Sequence, residues 1–212
     1  MSADILGAVI EVVSGKRFGE FLKERIFEPL GMVDTGFFVP PEKQSRLAQT
    51  YEQQKDGLHL YTGCHLGISS RMEREPAYEA GGAGLVTTVD DWLKFCRMLL
   101  NKGTLDGVRI LTEPMVDFLA EGVITEEQRK GMRGWEELAG YSYGNLMRKL
   151  TEPEHAATLG SYGEYGWDGW LGCFWANDPK NGYTFMYFVQ RCGGLGVRPL
   201  RMIKQIVYGA ED

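Results

Sequence analysis

The feature that most constrains the fold is an aromatic segment at residues 165–190, YGWDGWLGCFWANDPKNGYTFMYFVQ. Residues 184–189 alternate at the two-residue period of a β-strand, and the apolar stretch 174–176 predicts a second strand. Asn181-Gly182 lies between them, and this dipeptide is typical of a type I′ turn because both central residues need positive φ. The segment therefore predicts a β-hairpin inside a sheet.

Three glycines, Gly166, Gly169 and Gly172, interrupt the first half of this aromatic segment. Glycine weakens the interior of a strand unless a bulge, or a ligand close to the backbone, requires it. We therefore expect a functional site around residues 165–170.

The charge and composition of the chain narrow the classes of function. The 212 residues are 43% hydrophobic and 25% charged, which is typical of one soluble globular domain. A net charge of −6 disfavours a nucleic-acid or anionic-membrane partner. No apolar stretch is long enough for a membrane span, and no secretory signal opens the chain. The four cysteines lack CxxC spacing, so we expect buried thiols, a reducing compartment and a cytoplasmic location.

The order of predicted elements is helices first, then antiparallel strands, then a closing helix, which indicates an α+β fold. We expect residues 1–130 to be mainly helical with a long loop at 40–80, and residues 131–212 to form antiparallel strands plus the closing helix. The predicted helices begin at Ala3, near Phe18, after Thr88, at Thr112 and near Pro199. Short strands are predicted at 34–39, 108–111 and 141–150.

The first predicted helix, residues 3–13, is apolar on nearly every face except at Asp4 and Glu11. This pattern is typical of a helix buried among others rather than one that lies on a surface. If its neighbours are missing, the exposed apolar surface would mark an interface, so self-association or a missing segment is expected.

The residues contain no complete motif for a serine hydrolase or a metalloenzyme. One common arrangement of a nucleophile and its base is Ser-x-x-Lys on a helix, but no lysine here has Ser or Thr three residues before it. Residues 67–71 are the nearest approach to a Gly-x-Ser-x-Gly elbow, and they lack its second glycine. The histidines lie in polar segments without metal-binding spacing, so we expect no metal and no cofactor.

Two further motifs have simple structural interpretations. Gly81-Gly82-Ala83-Gly84 precedes a predicted helix, but no Lys-Ser/Thr follows it, so we interpret it as a tight turn rather than a phosphate cradle. Tyr143-Gly144-Asn145 has the Tyr-x-Asn form that some hydrolases use, and we interpret it as a coincidence within a strand.

Several segments in order resemble the serine hydrolases of the class C β-lactamase and penicillin-binding-protein-like superfamily, especially its esterase branch. The matching blocks are LGAVIEVVSG at 6–15, IFEPLGM at 26–32, GGAGLVTTVDDW at 81–92 and LDGVRIL at 105–111. The resemblance covers nearly the whole chain apart from residues 40–75. It implies an incomplete β-lactamase/DD-peptidase-like fold, with an antiparallel sheet flanked by helices.

The resemblance also implies roles for the aromatic segment. In the family, a Ser-x-x-Lys helix supplies the nucleophile and base, a tyrosine motif supplies a second acid/base, and a third motif lies on an edge strand. Here Trp167-Asp168-Gly169 would be the third motif, and the backbone N–H of Trp170 would be an oxyanion donor worth about 3 kcal/mol. Gly169 would let the acyl group lie against the strand, while Trp167 and Tyr165 would shape the pocket. The first two motifs are absent, so the resemblance implies a C-terminal portion that carries one wall of the site.

Asp168 departs from the Thr, Ser or Gly usual at its position in the family. A carboxylate there would repel a carboxylate-bearing substrate such as a penicillin, because like charges in a partly dry site are costly. We therefore expect a parent enzyme that acts on a small-molecule ester or amide, with an ester favoured over a β-lactam, and a chain that is inactive alone. The alternative is a non-catalytic module whose aromatic cleft, formed by Trp167, Trp170 and Tyr165, binds a sugar or peptide.

Overall fold

Helices precede an antiparallel sheet along the chain, as the computed structural model shows for residues 2–69, 71–132 and 134–210. The helices are α1 (Ser2–Ser14), α2 (Phe18–Leu22), α3 (Val89–Leu100), α4 (Glu113–Ala120), α5 (Glu126–Lys130) and α6 (Val197–Tyr208). The strands are β1 (Tyr51–Gln54), β2 (Gly57–Leu60), β3 (Cys64–His65), β4 (Ile68–Ser69), β5 (Thr104–Leu105), β6 (Val108–Arg109), β7 (Tyr141–Gly144), β8 (Met147–Leu150), β9 (Tyr165–Asp168), β10 (Phe174–Asp178) and β11 (Tyr183–Tyr187). This arrangement confirms the α+β class.

The chain divides into two compact units. One comprises Met1–Phe95 with Leu105–Ile110, and the other comprises Cys96–Thr104 with Leu111–Asp212. Among the described helices, none is long and apolar enough to cross a membrane.

The second unit is built on a five-stranded antiparallel sheet with the strand order β11-β10-β9-β8-β7. Helix α6 packs on one face of it, where Leu200 joins Phe174 and Ala176 in a buried apolar cluster. Strand β9 is therefore the central strand of the sheet and not the edge strand that the family resemblance implied. Residues 141–150, predicted as one strand, form two strands, β7 and β8, joined by a two-residue turn.

The predicted turn at Asn181-Gly182 is wrong in type. Strands β10 and β11 are joined by the four residues 179–182, and of the predicted pair Asn181-Gly182 only Gly182 has a positive φ, at 73°. The backbone N–H of Gly182 donates to the carbonyl of Asp178, and the Asp178 carboxylate accepts from the N–H groups of Lys180 and Asn181. This side-chain bonding holds a longer loop that the dipeptide alone does not indicate.

The first unit contains more structure between residues 40 and 80 than the sequence predicted. A 3₁₀ helix spans Pro41–Arg46, and two antiparallel hairpins, β1–β2 and β3–β4, follow it. The strand predicted at 34–39 is reduced to a single bridge between Gly36 and Val86. The predicted cap of α3 is confirmed, since the Thr88 hydroxyl accepts from the N–H of Asp91 at 3.2 Å.

Helix α1 has the predicted bounds within one residue, but it is not buried. Gly7 is its only buried residue, while Ile5, Val9 and Val12 are 60%, 50% and 84% exposed. The Gly-rich turn requires a glycine at position 81, because a Cβ there would lie 2.1 Å from the carbonyl oxygen of Ala3. The glycines therefore allow the chain to approach α1 closely, which agrees with the tight-turn interpretation.

Candidate functional site

The residues singled out from the sequence lie at the C-terminal end of β9 and in the turn after it. Trp167 and Asp168 end the strand, while Trp170 lies in a turn and not on the strand. The turn is closed by hydrogen bonds from Gly169 N to Cys173 O at 2.7 Å and from Gly172 N to Gly169 O at 2.8 Å. The carbonyl of Trp170 also accepts from the N–H of Gly193, so the turn is held to the chain beyond β11.

The three glycines of this segment occupy different environments, so the need for glycine differs from one position to the next. A Cβ at Gly166 would lie 2.1 Å from the carbonyl oxygen of Trp175, and Gly172 has a φ of 89° and a Cβ position 2.7 Å from the Cα of Gly194. Both positions therefore require glycine for backbone packing alone. Gly169 differs, since it is exposed and a Cβ there would meet nothing closer than 3.6 Å. Only Gly169 keeps the interpretation of a glycine that leaves room for a ligand.

Asp168 carries a charge that a neighbouring strand neutralises. The Nη1 of Arg148, on β8, donates to the Asp168 carboxylate, and its Nη2 donates to the carbonyl of Trp175 at 3.2 Å. Arg148 lies directly opposite Gly166 of β9 in the sheet. Because Gly166 has no side chain, the Arg148 side chain crosses β9 at this point and reaches β10. The expected repulsion of a carboxylate-bearing substrate by Asp168 is thus reduced, because its charge has a partner.

The guanidinium group of Arg148 is almost completely buried, with 1% of the residue exposed. Its Cζ lies 4.3 Å from the ring centroid of Phe174 and 5.4 Å from that of Tyr141, so aromatic faces replace part of its lost hydration. Burial lowers the pKa of Arg148, and the neighbouring groups act in the opposite direction.

A fully buried ion pair lies on the same face of the sheet, against α6. Lys204 Nζ is 2.8 and 2.7 Å from the two carboxylate oxygens of Glu164, and both residues are at most 1% exposed. The Tyr141 hydroxyl also donates to this carboxylate at 2.8 Å, whereas the Tyr208 hydroxyl lies 3.3 Å from it and donates to the Asp178 carboxylate at 2.8 Å. Burial lowers the pKa of Lys204 and raises the pKa values of both tyrosines, for which the Glu164 charge is a second cause. Sequence reasoning missed these residues, because Glu164 lies in a polar turn before β9 and Lys204 lies on a helix that also carries Arg198 and Arg201, so neither charge stands out in the sequence.

Tyr165 begins β9 and is only 3% exposed. Its hydroxyl accepts a hydrogen bond from Asn177 Nδ2, which also donates to the carbonyl of Cys96, and burial raises the pKa of Tyr165. A side chain so deeply buried cannot serve as the stacking platform that the alternative prediction required. Tyr165 instead lies on the wall of a cavity of about 200 Å³, together with Leu99 and Val116.

Trp167 is half-buried and packs against Tyr143 of β7, with ring centroids 5.0 Å apart and planes at 56°. The Tyr-x-Asn triplet therefore contributes an aromatic neighbour to β9. Asn145 of the triplet lies in the turn after β7 and donates through Nδ2 to the carbonyl of Phe118. Among the described residues, no group of three His, Cys, Asp or Glu side chains could hold a metal ion.

Comparisons with known proteins identify the family and the fold. The beta-lactamase family model matches residues 1–204. Protein Rv1367c of Mycobacterium tuberculosis is 32% identical over 202 residues, covering 92% of this chain and 48% of that protein. Esterase EstB of Burkholderia gladioli is 25% identical over 199 residues, covering 88% of this chain and 47% of EstB. The solved structure of EstCE1, a hydrolase with promiscuous acyltransferase activity, superimposes with a TM-score of 0.78 at 26% identity, covering 98% of this chain and 55% of that one.

The chain belongs to the beta-lactamase family, within the serine hydrolases that include esterases and penicillin-binding-protein homologues. Its mixture of helices and antiparallel sheet is the fold of these proteins. The chain spans about half the length of the curated relatives it matches.

Proposed function

We propose that this chain supplies one wall of the acyl-binding site of a serine hydrolase that acts on small esters through an acyl-enzyme intermediate. The observation that carries the proposal is the free space at Gly169, which is exposed directly after the central strand. A side chain would fit at this position, yet the residue is glycine. In this proposal the acyl group lies against Gly169, beside Trp167. The backbone N–H of Trp170 donates to the oxyanion, a contribution of about 3 kcal/mol to transition-state stabilisation.

The preference for an ester rests on the relatives and not on the charge of Asp168. The matched proteins include an esterase and a hydrolase with acyltransferase activity. Because Arg148 pairs with Asp168, electrostatic repulsion of substrates that carry a carboxylate is weaker than the sequence alone implied. Amide substrates and β-lactams are therefore the comparison substrates in any assay.

We expect the chain to be inactive alone, since its sequence has no Ser-x-x-Lys to provide a nucleophile and a base. A fluorophosphonate probe should leave the 212-residue chain unlabelled, as intact-mass spectrometry would show. Stoichiometric labelling would contradict this expectation and would locate a nucleophile within the chain.

The role of Gly169 can be tested in a chimera in which this chain replaces the segment it matches in Esterase EstB. We expect the chimera to hydrolyse p-nitrophenyl butyrate, and Gly169→Ala to lower kcat/KM by about tenfold or more because the added methyl occupies the acyl position. In the isolated chain, Gly169→Ala should leave the free energy of unfolding within about 0.5 kcal/mol of the parent value. Gly166→Ala is the matched control, since its Cβ would clash with Trp175 and lower stability. Unchanged turnover in a folded Gly169→Ala chimera would contradict the proposal.

No contact in the described residues favours the alternative, a module that binds a sugar or peptide in an aromatic cleft. Tyr165 is buried, and one side of Trp167 is packed against Tyr143. A cytoplasmic location stays a prediction, supported by four cysteines that form no disulfide.

A further inference from the structure

A cavity of about 200 Å³ lies between the last turn of α3, helix α4 and the sheet. Its floor is apolar and consists of Leu99, Val116 and Tyr165, which are all buried. The residues that line the cavity all belong to the second unit. A concave, mainly apolar surface with a few polar groups is the usual form of a small-molecule site.

This cavity is separate from the candidate site at Gly169. Tyr165, on the cavity wall, begins β9, whereas Gly169 follows the last residue of that strand. A strand rises about 3.3 Å per residue, so the two positions are about 13 Å apart. A small ligand in the cavity therefore leaves the surface proposed for the acyl group free.

The charged side chains that line the cavity are Lys102, Asp117, Glu121 and Lys149. Lys102 Nζ donates to the Asp117 carboxylate at 2.5 Å, so these two charges compensate each other. The hydrogen bond to Asp117 is the largest cause of the raised pKa of Lys102, and Glu121 contributes only a weaker attraction from farther away. Lys149 Nζ lies 6.0 Å from the ring centroid of Tyr162. Within the part of the chain that the structure describes, neither Lys149 nor Glu121 has an oppositely charged group at ion-pair distance.

The two unpaired charges have opposite signs and lie on elements that contact each other. Lys149 is on β8, while Glu121 is the C-terminal cap of α4. The last carbonyl groups of a helix carry partial negative charge, so the end of α4 adds to the attraction that Glu121 exerts on a cation. The cavity thus offers a positive group, a negative group and an apolar floor to a single ligand.

We propose that this cavity binds an aliphatic α-amino acid. The carboxylate of the amino acid pairs with Lys149, its ammonium group pairs with Glu121 at the end of α4, and its side chain lies on the apolar floor. A zwitterion matches because it brings one charge of each sign, whereas a fatty acid leaves Glu121 unpaired and an amine leaves Lys149 unpaired. Sites for drug-sized ligands measure about 300–1,000 Å³, so a cavity of about 200 Å³ fits a smaller molecule.

The probe is L-leucine, titrated into the isotope-labelled 212-residue chain and followed by amide chemical shifts. We expect saturable shifts with a Kd of about 1 mM, centred on the amides of Ala120, Lys149 and Gly163. Two analogues isolate the charges. The first, 4-methylpentanoate, lacks the ammonium group of leucine, and the second, 3-methylbutylamine, lacks its carboxylate.

Single substitutions should affect these ligands selectively. Lys149→Met should weaken the binding of L-leucine and 4-methylpentanoate about tenfold and leave 3-methylbutylamine unchanged, because the ammonium group of this half-buried residue donates a charge-assisted hydrogen bond. Glu121→Gln should weaken L-leucine and 3-methylbutylamine about threefold and leave 4-methylpentanoate unchanged. The factor is smaller because Glu121 is exposed and solvent screens its charge. Lys55→Met and Glu154→Gln are the matched controls, since both residues are exposed and lie outside the cavity.

The amide spectra must first show that the variants are folded, as the exposure of Glu121 predicts. If Lys149→Met alone disrupts the spectrum, Glu121→Gln and the two analogues still decide the outcome. No shifts at about 20 mM L-leucine, or equal weakening by the control variants, would overturn the inference. Equal affinity for L-leucine and 4-methylpentanoate would also overturn it, because the ammonium group would then add nothing.

Binding of an amino acid in this cavity does not depend on the proposed ester hydrolysis. The cavity uses neither Gly169 nor Trp170, so an inert EstB chimera would leave the inference intact. Failure of L-leucine to bind would likewise leave the proposed function intact.

Discussion

Lys204 and Glu164 form an ion pair with almost no exposed surface, and the Tyr141 hydroxyl donates a further hydrogen bond to the carboxylate. The net stabilisation from such a pair is small because both charges lose their hydration, but removal of one partner leaves the other charge buried without compensation. Arg148 is likewise buried, closer to the candidate site, but its partner Asp168 is partly exposed, with 36% of its side chain accessible. The stability of the fold therefore depends more on whether each buried charge has a partner than on the number of charges.

We predict that Lys204→Met lowers the free energy of unfolding of the chain by about 3–5 kcal/mol, because it leaves Glu164 buried and unpaired. The double variant Lys204→Met, Glu164→Gln should lose clearly less, since neither charge remains. Urea denaturation followed by Trp fluorescence measures both. Lys102→Met is the control, because Lys102 forms an exposed pair with Asp117 and its loss should cost less than about 1 kcal/mol. Equal losses in the single and double Lys204 variants would contradict the prediction.

The stability of the first unit should depend on pH through Asp34. Hydrogen bonds from Arg46 and Lys43 lower the pKa of Asp34 from 3.8 to about 2. Because the folded-state pKa lies below that of the unfolded chain, this interaction stabilises the fold above about pH 4 and is lost as the pH falls towards 2. Asp34→Asn should therefore lower the free energy of unfolding by up to about 1 kcal/mol at pH 6 and by almost nothing at pH 2. A difference that does not change with pH would show that the side chain acts through packing.

At the scale of elements, short hairpins account for most of the structure that the sequence did not predict. Asp106-Gly107, between β5 and β6, has φ values of 47° and 83°, and this dipeptide was a readable signal of a type I′ turn. Asn145-Leu146, between β7 and β8, has φ values of 51° and 65° and was not readable, since leucine avoids this region. Helix bounds were predicted better because capping and periodicity are local properties.

The β7–β8 turn leads to a prediction about a strained residue. Leu146→Gly should raise the free energy of unfolding by about 0.5–1 kcal/mol, because glycine adopts a positive φ without steric cost and Leu146 is 39% exposed. Leu146→Ala is the control and should bring no such gain, since its Cβ keeps the strain. The midpoint of urea unfolding measures both changes. A loss of stability in Leu146→Gly would show that the leucine side chain contributes more by packing than its backbone conformation costs.

At the scale of the whole molecule, the chain folds into two units, and the cysteines of the two units lie in contrasting environments. Cys64 lies in the first unit and is exposed, whereas Cys96 lies in the second and is fully buried. Burial raises the pKa of the Cys96 thiol to about 12, so little thiolate forms near neutral pH. Thiol reactivity therefore reports on whether the chain has the described fold.

We predict that a disulfide reagent at pH 8 labels Cys64 rapidly and Cys96 only after unfolding in urea. Peptide mass spectrometry after timed labelling separates the two sites. Cys64→Ser should remove the fast phase and leave the slow one unchanged. Labelling of Cys96 at the rate of Cys64 in the native chain would mean that its part of the second unit is open to solvent.

The amino-acid sequence by itself determined helices α1 to α4 and α6 but not α5, the hairpin between β10 and β11, and the order of motifs that resembles the family. All of these depend on residues near one another in the chain. The tertiary structure decided that Arg148 neutralises Asp168, that Tyr165 is buried, and that α1 turns its apolar side outward. These outcomes depend on strand register and on contacts between distant segments, such as Arg148 crossing β9 at Gly166 and Gly81 approaching Ala3. The same difference explains the glycines of the candidate site. Their spacing was visible in the sequence, but only the surrounding backbone separates Gly166 and Gly172, which packing requires, from Gly169, which it does not.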